Sequence, residues 1–271
     1  MLFCCIYAHP CAGQASAIPS AQPSSNRDDP QAGRKLLDQM IAALGGPAWL
    51  KRTQYSAVGR SASFYKGQAN PYVSEFEQYV RLQPFGERVV LVSKQGVFIP
   101  TAKRDVAVIW TGDNGYEVTY KGKKELPKKE VDDFVRRRKH SLEVVIGEWL
   151  KQPGTLVTYE GTDVVDRKLA DKVSILTAGN DGVVLELEES THLPLSRTFR
   201  FRNETYKDFD TDVEQYDDYH PIEGVMTPLT LTRLHNGDMS SQIFLREVKY
   251  NVNMPADLFD PDRPLMKSAK K

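Results

Sequence analysis

From Tyr55 to Tyr250 the hydrophobic pattern of this chain has a period of two, and a long helical pattern interrupts it only once. Tyr55, Val58, Phe64 and Tyr65, then Phe76, Tyr79 and Val80, then Val89 to Val92 mark three strand-like runs punctuated by Gly, Pro and Asn. Alternation of this kind sends successive side chains to opposite faces of a sheet, and tight spacing between runs favours antiparallel neighbours. Residues 105–111 and 115–120 read as the next pair, with Asp113-Asn114-Gly115 as the turn and its glycine as the residue at positive φ. After Gly154 the runs 155–165, 168–177, 182–189, 194–202, 206–219, 224–234 and 239–250 follow without a linker. Asn180-Asp181-Gly182 and Asn236-Gly237 are their clearest turns. A crossover helix after each strand is missing, which disfavours parallel doubly wound architectures.

Helical spacing occurs in two places. Leu36, Leu37, Met40, Ile41 and Leu44 predict an amphipathic helix over 33–45, stopped by Gly45-Gly46-Pro47, and a short piece follows around Ala48 to Lys51. Past Pro127, Val131, Phe134 and Val135 share one side of a second helical region, which continues through Leu142, Val145, Ile146, Trp149 and Leu150 to Pro153-Gly154. The expectation is an α+β fold in which residues 33–261 form one domain: a strongly curved antiparallel sheet covered by the helices at 33–45 and 128–150.

The three cysteines, Cys4, Cys5 and Cys11, all lie in an uncharged stretch ending Ala15-Ser16-Ala17. This reads as an export signal over 1–17, although it lacks a basic start, and cleavage would leave a cysteine-free product working outside the cytosol. His9-Pro10 before Cys11 disfavours a lipid anchor there. Residues 18–32 read as a flexible leader and 262–271 as a basic tail. Lys plus Arg equals Asp plus Glu at 36 each, so no global field draws the chain to nucleic acid. No apolar run after the leader is long enough for a transmembrane helix.

The chemistry of common enzymes leaves no signature. His9, His140, His192, His220 and His235 are scattered, so no metal site is expected, and nucleophile elbows, phosphate loops and dinucleotide turns are missing. No cofactor is implied. Asp208, Asp210, Asp212 and Glu214 lie at period two on one strand face, with Phe209 and Val213 opposite. They read as a solvated face, with a cation site as the alternative. The basic cluster around Lys121 to Lys139 reads as a solvated helix face, with docking to anionic headgroups as the alternative. A hydrolase would have to use dispersed carboxylates such as Asp217, Asp218 or Glu223 near Tyr216 and Tyr219. The regular aromatics read as core or as the lining of an apolar cavity between sheet and helices. Phe64, Phe76, Trp110, Tyr116, Phe134, Trp149, Phe199 and Phe244 are the candidate lining residues.

The element order and three passages carry a resemblance. Trp110 to Tyr116 precedes the helical insertion, Tyr216-Asp217-Asp218-Tyr219 leads to Gly224-Val225-Met226-Thr227-Pro228, and Val252-Asn253-Met254-Pro255 runs on to Leu258-Phe259 and Pro261. Over roughly residues 33–261 the chain resembles the outer-membrane lipoprotein-sorting family, periplasmic carriers of the Lol type and their relatives. The resemblance implies a half-open antiparallel barrel covered by helices, non-catalytic, in the periplasm. Its interior would receive a lipoprotein acyl chain or another lipid, exchanged with a membrane-bound donor or acceptor protein. A periplasmic sensor or structural protein-binding module would share the fold.

Overall fold

The structure is a computed structural model that describes residues 31–95, 101–263 and 265. The expected export signal, the leader up to residue 30 and the tail beyond Leu265 lie outside the described residues.

Two helices open the fold, α1 (Ala32–Ala43) and the single turn α2 (Pro47–Leu50). Six strands follow: β1 (Gln54–Tyr65), β2 (Gln68–Arg81), β3 (Gly86–Gln95), β4 (Thr101–Thr111), β5 (Asn114–Thr119) and β6 (Gly122–Glu125). The helical interruption divides into α3 (Lys128–Lys139), α4 (Leu142–Gly147) and a 3-10 turn at Trp149–Lys151. Seven more strands complete the chain: β7 (Leu156–Val165), β8 (Lys168–Leu176), β9 (Gly182–Glu188), β10 (Pro194–Arg202), β11 (Phe209–Ile222), β12 (Val225–His235) and β13 (Asp238–Tyr250).

All thirteen strands belong to one antiparallel sheet in the order β6-β5-β4-β3-β2-β1-β13-β12-β11-β10-β9-β8-β7. The first and last strands of the series, β1 and β13, pair at its centre, with Tyr55 opposite Tyr250. Its two edges, β6 and β7, are joined by α3 and α4 instead of by a ladder. This overturns the strongly curved half-open barrel expected from the sequence, because the sheet is open. Barrel closure requires hydrogen bonds between the outermost strands and a fixed register stagger. Alternation reports which face of a strand is covered and carries neither quantity.

Two local expectations also change. Strand β6 lies inside the lysine-rich stretch and shows no burial contrast, since all four of its residues are exposed. In the β4–β5 hairpin Thr111 faces Asn114, so the turn is Gly112-Asp113 and the positive φ falls on Gly112 at 57°. Gly115 is needed for a different reason: a Cβ there would stand 2.3 Å from the Trp110 ring. The Asn236-Gly237 turn is as expected, with His235 opposite Asp238 and both turn residues at positive φ.

The main core lies where α1, α4 and the 3-10 turn cover β8 to β10. Leu37, Met40, Val145 and Trp149 pack there against Val173, Ile175, Leu185, Leu187 and Phe199. A smaller cluster of Val90, Ala107, Ile109 and Val118 lies on the other side of the sheet, near the opposite edge. It is covered by the segment from Val252 to Leu265, which runs back over β2 to β5 as a strap. Phe259 sits against Gly86, Arg88 Nη1 donates to the Leu258 carbonyl at 3.1 Å, and Lys123 Nζ donates to Asp262 at 2.8 Å.

A sheet shared by every strand motivates a single-domain proposal. Limited proteolysis is expected to leave one resistant body. Two separately stable fragments divided near residue 154 would refute it.

Candidate functional site

Helix α3 follows Pro127, whose fixed φ suits a helix start and whose missing N–H costs nothing there. It is fastened at two distant places. On one side Phe134 stacks on Trp110 with ring centroids 3.8 Å apart and planes 2° from parallel, and Phe85 approaches to 6.0 Å. Arg138 adds hydrogen bonds to the Gly112 carbonyl at 2.7 Å and to Asp113 at 2.8 Å. On the other side Arg136 lies 3.7 Å over the Phe201 ring, and Arg197 of β10 donates to the carbonyls of Arg137 and His140. The basic cluster of this helix is largely spent on ion pairs, Lys128 with Asp132, Lys129 and Arg136 with Asp133, and Lys139 with Asp181.

Between these anchors in sheet order lie β3, β2, β1, β13, β12 and β11. The register gives their helix-facing side. Trp110 is opposite Glu87, so Val89 and Leu91 share its face. Phe76 is opposite Leu91 and Gly59, and Gly59 is opposite Leu245. Further along, Ile243 is opposite Leu231, which is opposite Tyr216. Phe76 is buried, whereas Val89, Leu231, Ile243 and Leu245 are half-buried and Leu91 is 38% exposed. An apolar strip at mid-sheet that its own helices do not cover fully can hold an apolar ligand.

A charged cluster borders the strip. Glu214, 13% exposed, accepts from Arg197 at 2.9 Å, from Arg233 at 2.8 Å and from the Tyr216 hydroxyl at 2.9 Å. Burial opposes its ionisation, yet the two guanidinium groups outweigh that cost and hold its carboxyl at about 2. Asp210 and Asp212 extend the row. Asp212 accepts from His235 Nδ1 at 2.7 Å, and Asp210 accepts from Asn203 at 2.7 Å and Asn236 at 2.9 Å. Of the acidic run, Asp208 is exposed as expected, whereas Asp210, Asp212 and Glu214 form a part-buried, hydrogen-bonded face and not a solvated one. The reason is β10: register places Phe199 and Phe201 opposite Asp212 and Asp210, so these carboxylates share the face that α3 covers. Among the described residues no group of side chains is arranged to hold a metal ion.

Glu87 is the strained member. It accepts from Gln78 at 2.8 Å. Burial raises its pKa, and that hydrogen bond together with Arg233, Arg137 and Arg138 offsets burial only in part. A carboxyl whose folded pKa is raised favours folding when protonated and opposes it once ionised. Glu87→Gln, which keeps the acceptor for Gln78, is therefore expected to raise the melting temperature above pH 4.5 by a few degrees and to leave it unchanged well below. Equal melting temperatures at pH 7 would contradict this account.

The aromatic residues singled out by sequence separate into four groups. Trp110, Phe134 and Phe76 lie on the helix-facing side, the first two stacked and the third beneath the strip. Phe199 and Trp149 are core, 3% and 2% exposed, and both rings pack on His140. Tyr116 and Phe244 project from the opposite face, Tyr116 opposite Ile109 and Phe244 opposite Arg60. Phe64 stands near the β1–β2 hairpin end, next to a register shift. The aliphatic strip and the arginines beside it, Arg197 and Arg233, were missed, since Leu, Ile and Val at period two look the same in a packed core and in a binding surface. The carboxylates considered for hydrolysis do not converge. Asp217 is exposed, Asp218 contacts His220 at 2.9 Å, and Glu223 accepts from the Tyr250 amide at 3.0 Å. Tyr219 is tied to the Pro194 carbonyl at 2.7 Å.

No protein-family profile matches the sequence, and no curated protein does. Solved structures do match. A domain assigned to outer membrane lipoprotein sorting from Vibrio parahaemolyticus superposes with a TM-score of 0.52 at 9% identity, over 86% of this chain and 97% of that one. The fold is shared with that domain. A DUF1329 family protein from Desulfovibrio piger superposes with a TM-score of 0.55 at 11% identity, over 85% of this chain and 97% of that one. At such identities the kinship is one of fold. No helix among the described residues is long and apolar enough to cross a membrane.

Proposed function

We propose that this protein is a non-catalytic periplasmic carrier whose ligand is a lipoprotein acyl chain or another lipid. The observation that carries the reading is the incompletely covered strip of Val89, Leu91, Leu231, Ile243 and Leu245 beside the Glu214 cluster. Each methylene moved from water to such a surface contributes about 0.8 kcal/mol, so an acyl chain can be held without covalent chemistry or a cofactor. Arg233, with 37% of its side chain exposed, stands at the polar border where a headgroup would lie. The lipoprotein-sorting fold supports the reading, and the cysteine-free sequence after Ala15-Ser16-Ala17 supports an exported location.

Native mass spectrometry of protein purified without detergent, followed by lipid extraction, tests it. A co-purifying lipid, or saturable uptake of a fluorescent fatty-acyl probe by delipidated protein, is expected. Absence of both would favour a protein-binding or sensor module with the same fold.

A further inference from the structure

The other face of the sheet carries a cleft of about 480 Å³ between the strap and β1 to β3. Its apolar wall includes Val90, Met254, Leu258 and Leu265, and Arg88 lies at its base beside Tyr79. Arg88 is only 7% exposed. Its Nη1 donates to a neutral acceptor, the Leu258 carbonyl, and no described carboxylate forms an ion pair with it. A second guanidinium, Arg263, is near enough to add to the positive potential, although Arg263 itself pairs with Asp257. Glu77 also lines the cleft, opposite Val90, but is engaged by another group and forms no ion pair with Arg88. A buried cation is costly without a counter-charge, and a guanidinium offers two parallel donors to a carboxylate or a phosphate.

We propose that this cleft binds a small amphiphile with one anionic head, the head on Arg88 and the tail against Val90, Met254, Leu258 and Leu265. The volume suits a small ligand, and Arg88, the one cation among the lining residues, supplies orientation. The site lies across the sheet from the strip assigned to the carrier function, so either reading can fail alone.

Isothermal titration of the full chain with decanoate, decyl phosphate and decanol tests it. Saturable binding of at least one anionic probe is expected, tenfold or more tighter than decanol. Arg88→Met is expected to remove that preference, and Arg88→Lys, which keeps the charge, to retain part of it. Met254→Asp places a carboxylate on the strap, away from the core of the sheet, and is expected to weaken the anionic probes tenfold even if Arg88→Met fails to fold. Which anionic probe binds better distinguishes a carboxylate ligand from a phosphate ligand. Equal affinity for decanol and both anions, no saturable anion binding at millimolar concentration, or anion binding unchanged in Met254→Asp would each overturn the proposal.

Discussion

Glu214→Gln is expected to destabilise the protein by about 3–5 kcal/mol at pH 7, because it leaves Arg197 and Arg233 without their shared counter-charge at a mostly buried position. The same carboxylate dictates the acid limb of stability. Its folded pKa of about 2 lies below the ordinary 4.5, so its stabilisation is complete above pH 4.5 and is lost as pH falls towards 2. At 1.36 kcal/mol per pKa unit that loss amounts to about 3 kcal/mol. His140 acts in the same direction at higher pH. Burial lowers its pKa below 6.5, so its neutral form contributes stability that weakens as pH falls past that value. Urea unfolding of both proteins at pH 7 and pH 3 checks the assignment: the gap between wild type and Glu214→Gln should be wide at pH 7 and narrower at pH 3. Equal midpoints at pH 7 would mean the cluster contributes nothing.

Ile243→Asp is expected to lower the affinity for a long acyl chain by about a hundredfold or more, near 3 kcal/mol, because a bound chain would have to desolvate an unpaired carboxylate. Ile243 is half-buried on the helix-facing side of β13, paired with Leu231 and Ser61. Gln242→Asp, one residue away and on the opposite face, serves as the control and should leave acyl binding within about threefold. Fluorescent-probe titration of the two variants with wild type gives the comparison. Equal loss in both, or in neither, would remove the strip from the binding surface.

What the sequence determined by itself was local. Alternation and turn chemistry placed eleven strands within a few residues of their ends and found the second half of β2, because a period of two and an Asn-Gly turn are properties of short segments. The lysine-rich β6 escaped because an edge strand exposed on both faces leaves no apolar contrast to read. Tertiary structure decided everything that depends on which residues meet across the sheet. The open order with β6 and β7 at its edges follows from long-range ladders that alternation does not encode. The row Asp210, Asp212 and Glu214 looked solvated because its neighbours Phe199, Arg197 and Arg233 come from strands ten to twenty-odd residues away, and only pairing brings their charges and rings together. Binding surface and core differ in the same way: Ile243 and Leu187 are both aliphatic residues at strand spacing, and only the helices packed over β9 and incompletely over β13 make one half-exposed and the other buried.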